Sequence, residues 1–201
     1  MHPPSAMLNR LDMDTREQHA AVDHHWLDLM ASGVTREQYK TLLMRVYGFE
    51  APIESALAYT PHLVVADRRE RTRSGLIVQD LLALGITPAK ITALPQCNSI
   101  GPFADPAEAL GWKYVIERPT QLHSAIKRNV IMHIADAAGA CTYLSAFDGV
   151  AAARWQQFGI LLDDVARRPG TGERMITAAK TAFSMMRDWF HSSHNEHAVH
   201  P

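Results

Sequence analysis

Apolar residues recur along the chain at steps of three, four and seven, which is the spacing of one face of an α-helix. The first such series is Leu8, Leu11, Thr15, Val22, Trp26 and Leu29. It predicts one amphipathic helix that ends at Gly33. Strict alternation of apolar and polar residues, which marks a half-buried strand, is nearly absent. The pattern therefore predicts an all-α bundle without a sheet.

Capping residues and breaks divide the rest of the chain into further helices. Thr35 with Gln38 is typical of a helix start, and so is Asp105 directly before a proline. Pro52 is expected to bend or split the helix in which it lies. The predicted helices cover residues 71–84, 106–137 with a kink at Pro119, 140–147, 151–167 and 173–190, while residues 87–105 form a loop or short turns.

Length and composition indicate one globular domain. Of the 201 residues, 47% are hydrophobic and 20% are charged, and the formal net charge is −1, so no overall field attracts nucleic acid or an anionic membrane. Two cysteines are too few for a disulfide framework or a cysteine metal site. No stretch reads as a membrane span or a signal peptide. We expect a cytoplasmic protein with one domain over residues 1–190 and a disordered tail over 191–201.

His19 is the most informative residue of the first predicted helix. It lies on the apolar face, four residues after Thr15 and three before Val22, so its imidazole is expected to point into the core or a pocket. Asp23 follows one turn later, where a carboxylate can fix the tautomer of a metal-binding histidine. A core histidine with one satisfied ring nitrogen, next to a solvated Asp23, explains the same positions.

A proline interrupts the helical pattern at residues 117–123. Pro119 removes one backbone hydrogen bond and frees carbonyl groups that can face a ligand. Arg118, Thr120 and His123 would supply a hydrogen-bond donor, a hydroxyl and a titratable ring at that point. A kink between two helices explains the segment equally well.

Other polar features each have two interpretations. Lys180, flanked by apolar residues, either extends to solvent or binds a ligand carboxylate at a pocket mouth. The mixed-sign run 67–73 favours a solvated helix start, and Glu50 with Glu54 is the kind of pair that usually lies on the surface. Histidines spaced for a metal ion recur in the tail, where we expect a frayed end: His191, His194, His197 and His200.

Five segments in register resemble the bacterial heme oxygenases that are associated with bacteriophytochromes. LDMDTREQHAAVD is similar to the family's first helix, whose T-x-x-x-H pattern places the proximal histidine at His19. The other segments are similar to an aspartate-leucine segment, the start of the distal helix, the penultimate helix and the last helix: SGLIVQDLLALG, DPAEALGWKYVIE, RWQQF and AAKTAF. The resemblance covers nearly the whole chain and implies a single-domain helical fold with heme between the first and distal helices.

The resemblance also implies an activity. Heme, as substrate and cofactor, would be opened to biliverdin with release of iron and CO, at the expense of O₂ and an external electron donor. His19 would bind the iron near Asp23, and Lys180 would pair with a propionate. A bacteriophytochrome is the partner that the resemblance suggests.

The distal segment departs from the family pattern. Family members usually follow YV-[LI]-E with Gly-Ser-Thr-Leu-Gly-Gly, where this chain has Arg118-Pro119-Thr120-Gln121-Leu122-His123. The glycines let the backbone approach the heme face, whereas Leu122 and His123 add side chains there. Asp12 also stands where a basic propionate partner is common. Two alternatives therefore stay open: a non-catalytic heme-binding or sensor protein with His19 and His123 both on the iron, and a heme-free interaction module.

Overall fold

The computed structural model describes residues 4–63 and 72–192, which form helices and turns without a strand. The α-helices are α1 (Ala6–Asp14), α2 (Arg16–Leu27), α3 (Arg36–Ala58), α4 (Arg73–Ala83), α5 (Pro88–Thr92), α6 (Pro106–Glu117), α7 (His123–His133), α8 (Thr142–Ser145), α9 (Ala151–Ala166) and α10 (Thr171–Ser192). Short 3-10 helices occupy Asp28–Met30, Arg118–Leu122 and Ala137–Ala140. The all-α prediction is confirmed.

Local caps fix where helices begin. The backbone N–H of Gln38 donates to Thr35 Oγ1 at 3.2 Å, and the Thr35 N–H donates to Gln38 Oε1 at 2.8 Å. At the start of α6, Asp105 Oδ1 accepts from the N–H groups of Ala107 and Glu108 at 2.8 and 3.0 Å. Both predicted helix starts are confirmed, because each depends on side chains within three residues of the cap.

The prediction of one long first helix is wrong. Helix α1 ends at Asp14 and α2 begins at Arg16, with Thr15 between them at φ −112° and ψ 11°. The Leu11 carbonyl accepts two hydrogen bonds from the buried Thr15, one from its hydroxyl at 2.7 Å and one from its backbone N–H at 3.0 Å. The chain therefore changes direction between Asp12 and His19.

Helix α3 continues through Pro52, so the split that we considered there does not occur. Pro52 has no N–H to donate to the carbonyl of Gly48, and the backbone N–H of Cys97 donates to that carbonyl instead, at 2.9 Å. A Cβ on Gly48 would lie 2.4 Å from the carbonyl oxygen of Pro95. Pro52 and Gly48 thus allow the loop around Cys97 to pack directly against α3 and to donate a hydrogen bond to it.

Helix α6 is the central element of the bundle. Every residue from Ala109 to Glu117 except Lys113 is buried, as expected for a helix enclosed by others. Its closest neighbour is α10, because a Cβ on Gly111 would lie 2.3 Å from the carbonyl oxygen of Met175. Only a glycine allows the two backbones to approach so closely.

A buried ion pair joins α3 and α4. Arg73 Nη2 donates to Glu50 Oε1 at 2.8 Å and to the Tyr143 hydroxyl at 2.8 Å, and its Nη1 donates to the Ile116 carbonyl at 2.7 Å. We expected Glu50 on the surface and Arg73 in a solvated helix start, and both expectations are wrong. Glu54, by contrast, is half-buried and accepts from the backbone N–H of Arg73 at 2.6 Å.

Parts of two other predictions lie outside the described residues, namely the run at 67–71 and the tail histidines His194, His197 and His200. His191 belongs to the last turn of α10, where its Nδ1 is 2.7 Å from the Arg187 carbonyl. Over the ranges 4–63 and 72–192, none of the helices combines the length and the apolar character that crossing a membrane requires.

The contact between α6 and α10 predicts the effect of a single methyl group. Gly111→Ala should lower the free energy of unfolding by about 2 kcal/mol, because the added Cβ meets backbone atoms of α10 that cannot move aside. Gly101→Ala is the matched control, since no atom lies within 4 Å of a Cβ there. Urea unfolding followed by circular dichroism measures both variants, and equal stability of the two would contradict the prediction.

The buried ion pair predicts a dependence of stability on pH. Burial raises the pKa of Glu50 to about 7 from an ordinary value of 4.5, although Arg73 opposes the shift. Between these pH values the native state holds more protons than the unfolded chain, so the contribution of Glu50 to stability falls as pH rises. Glu50→Gln should remove this decline in urea unfolding between about pH 5 and pH 8, whereas the exposed Glu37→Gln should retain it. A decline of wild-type size in Glu50→Gln would show another group to be responsible.

Candidate functional site

His19 projects from α2 into the interior of the bundle. Its ring lies 6.0 Å, centroid to centroid, from that of Phe183 on α10. Its Nδ1 is 3.4 Å from Asp23 Oδ2, one turn further along α2, while its Nε2 is buried without a hydrogen-bond partner in the described residues. A carboxylate on one ring nitrogen and a free second nitrogen are what a metal-binding imidazole requires.

The break at Thr15 places a second carboxylate beside the same imidazole. Asp12 Oδ1 lies 3.6 Å from His19 Nε2, which is too far for a hydrogen bond. The side chain of Asp12 is 56% exposed, so it lies at the solvent side of the site and can turn away from the ring.

Arg118 connects the two carboxylates from the opposite side of the site. It is the first residue of the 3-10 helix that follows α6. Its Nη1 donates to Asp23 Oδ1 at 2.6 Å, and its Nε lies 3.9 Å from Asp12 Oδ1. We call these three side chains the Arg118 bridge. The bridge joins α1 and α2 to the segment that the resemblance identifies as distal.

Tyr114, one turn before Arg118, is a site residue that the sequence analysis missed. It is fully buried, and burial raises its pKa to about 12, with Arg118 opposing and Asp12 reinforcing the shift. Its hydroxyl therefore stays protonated at neutral pH and can donate a hydrogen bond. The spacing of four residues to Arg118 was the available signal, because it places both on one helix face.

The other side chains of the distal segment contact either the backbone of the segment itself or the core. The hydroxyl of Thr120 is buried and donates to the Glu117 carbonyl at 2.6 Å. Leu122 is half-buried and packs against the core. The interruption that Pro119 predicts is present, as a 3-10 turn between α6 and α7.

His123 lies in another part of the bundle. Its ring packs 4.8 Å from that of Tyr143 and 5.6 Å from that of Trp26, centroid to centroid. Burial, with a smaller effect of Arg73, holds the pKa of His123 well below its usual range, and the nearby Tyr143 backbone opposes that shift only in part. Trp26 follows His19 by seven residues, about 10 Å along α2. His123 thus packs on a residue that lies two helical turns beyond His19 on α2.

Lys180 is exposed on α10, three residues before Phe183. Within the described part of the chain, its ammonium has no hydrogen bond or ion pair with another residue. It faces a surface cavity of about 620 Å³, lined also by Ser99, Thr177, Thr181, Ser184, Met185 and Asp188. None of these residues belongs to the Arg118 bridge.

The site offers a single nitrogen ligand rather than a set of protein ligands. No group of three or more His, Cys, Asp or Glu side chains within residues 4–63 and 72–192 is arranged to hold a metal ion. A metal bound at His19 would therefore need most of its ligands from a cofactor.

Comparison with protein families agrees with this architecture. The family model described as heme oxygenase matches residues 5–192. The chain therefore belongs to the heme oxygenase family. No curated protein matches the chain at a significant level.

The residues on α2 fit a heme iron, because His19 presents an unpaired Nε2 and Asp23 orients its ring. The opposite side of the site is closed in this conformation. Asp12 Oδ1 lies 3.6 Å from His19 Nε2, and Arg118 Nε lies 3.9 Å from the same carboxylate oxygen. A ligand atom can bind Nε2 only when Asp12 moves aside, which breaks the Asp12 contact of the Arg118 bridge.

The Arg118 bridge predicts a measurable coupling between α2 and the distal segment. In a double-mutant cycle with Asp23→Asn and Arg118→Gln, the coupling should be about 1 kcal/mol, because both side chains are only 22–23% exposed. Added salt should reduce it. The pair Lys127 and Asp148 serves as a comparison and should couple less, because its carboxylate is 42% exposed. Urea unfolding of the four proteins of each cycle gives the coupling, and additive effects at Asp23 and Arg118 would contradict the bridge.

Proposed function

We propose that this protein binds heme through His19 and cleaves it to biliverdin, iron and CO, using O₂ and electrons from an external donor. The observation that carries the proposal is the buried His19 imidazole, with Asp23 on Nδ1 and no partner on Nε2. Membership in the heme oxygenase family supports the same activity.

Bound heme would supply both the iron that reacts with O₂ and the macrocycle that is oxidised. His19 Nε2 would hold the iron. The Asp23 carboxylate would accept a hydrogen bond from the Nδ1–H group, which fixes the tautomer and makes the ring a stronger electron donor. The packing of Phe183 against the ring limits its rotation.

Two hydrogen-bond donors come from the opposite side of the site. Arg118 supplies the N–H groups of its guanidinium, and Tyr114, with a pKa of about 12, keeps its proton. In this proposal they hold water and polar ligand atoms on the distal side. We assign no part of the reaction to Thr120 or His123. The Thr120 hydroxyl donates to the Glu117 carbonyl, and the His123 ring packs on Trp26.

Four further features belong to the proposal. Lys180 would pair with a propionate, since its ammonium is exposed and lies one turn from Phe183. The electron-donor protein and an association with a bacteriophytochrome follow from the resemblance alone, whereas a cytoplasmic location is the expectation from the composition of the sequence.

The proposal predicts heme binding that depends on His19. Titration of the purified protein with heme should give one bound heme per chain and the Soret band of an imidazole-ligated iron. His19→Ala should lose that spectrum and regain it when free imidazole is added, because the imidazole replaces the missing ligand. His24→Ala, at an exposed position on the same helix, is the matched control.

A reductant added in air, with catalase present to remove free peroxide, then tests cleavage. Loss of the Soret band with growth of a biliverdin band supports the enzyme. A persistent six-coordinate low-spin spectrum would overturn cleavage and favour the non-catalytic heme-binding alternative. Failure of the wild-type protein to bind heme would overturn the proposal and favour a heme-free interaction module.

A further inference from the structure

We infer that Arg118 determines ligand specificity at the His19 site by exchanging partners. In the closed site it pairs with Asp12 and Asp23, and in the open site it pairs with a carboxylate of the ligand in place of Asp12. The identity of that ligand as heme, which carries two carboxylates, rests on the proposed function.

The two contacts of Arg118 differ in strength, and the weaker one is the one that must be exchanged. The contact with Asp23 is a direct hydrogen bond of 2.6 Å between half-buried groups. The contact with Asp12 is 3.9 Å long and reaches a side chain that is more than half exposed. Because water replaces this second contact at little cost, Asp12 can give way to another carboxylate.

Asp23 can remain in place during the exchange because its two oxygens have different partners. Oδ1 accepts from Arg118, while Oδ2 faces His19 Nδ1. The orientation of the imidazole therefore does not depend on the position of Arg118. Opening of the bridge exposes Nε2 without releasing the ring.

Charge selects the ligand class. Asp12 and Asp23 place two carboxylates next to one guanidinium, so a ligand carboxylate is repelled unless Arg118 turns toward it. Tyr114 adds a donor but no charge. A planar ligand that lacks carboxylates must break the bridge and receives no ion pair in return. The site should discriminate against it.

The first experiment compares heme with heme dimethyl ester, which has the same macrocycle without the charges. Wild-type protein should bind heme about tenfold more tightly than the ester. Arg118→Gln should abolish this preference, and Asp12→Asn should raise the affinity for heme several-fold because the competing carboxylate is gone. Arg128→Gln, at an exposed position on α7, should behave like the wild type. A preference for heme that survives in Arg118→Gln overturns the inference.

The second experiment needs no heme. Diethyl pyrocarbonate acylates neutral imidazole, so the rate at which His19 is modified at about pH 8, followed by mass spectrometry, reports access to its ring. Arg118→Gln and Asp12→Asn should each raise that rate several-fold relative to exposed His24. An unchanged rate overturns the inference even if heme binds. Absence of heme binding in every variant overturns the proposed function, and with it the ligand named here.

Discussion

The guanidinium of Arg73 fixes the geometry on which the rest of the bundle depends. From α4 it donates hydrogen bonds to Glu50 on α3, to Tyr143 on α8 and to the carbonyl of Ile116 near the end of α6. A buried cation must keep its partners, because loss of one costs about 3–5 kcal/mol. The bond to Ile116 carries this constraint to the functional site, since α6 ends at the next residue and Arg118 begins the following turn.

The two ion-paired clusters differ in strength, and their positions explain how a closed site can belong to a stable fold. The cluster around Arg73 is enclosed by the bundle, so its disruption would affect several helices at once. The Arg118 bridge lies at the edge of the bundle, where solvent weakens each contact to about 1 kcal/mol. The site can therefore open while the core stays intact. His19 remains oriented throughout, because its partner Asp23 is on its own helix.

The features that the sequence could predict are those determined by residues close to one another in the chain. The helix starts at Thr35 and Asp105 follow from side chains a few positions away. The break at Thr15 could not be predicted, because a threonine hydroxyl bonds to a preceding carbonyl in continuous helices as well. Glu50 and Arg73 carried a usable signal, since both fall at helical spacing among apolar residues. His19 and its carboxylate could be predicted as a pair, but the Arg118 bridge depends on which helices become neighbours.

Helices α1 and α2 pack against α9 and α10. The Ser5 hydroxyl donates to the Gly159 carbonyl and the Met7 N–H to Asp163, contacts that span 154 and 156 residues of the chain. A ribosome adds about 5–20 residues per second, so on the order of ten seconds separate the emergence of these helices during synthesis. Throughout that interval the apolar face that carries His19 has no packing partner from α10. During synthesis the His19 ring is thus exposed before α10 can cover it. The site is completed only when α10 leaves the ribosomal exit tunnel.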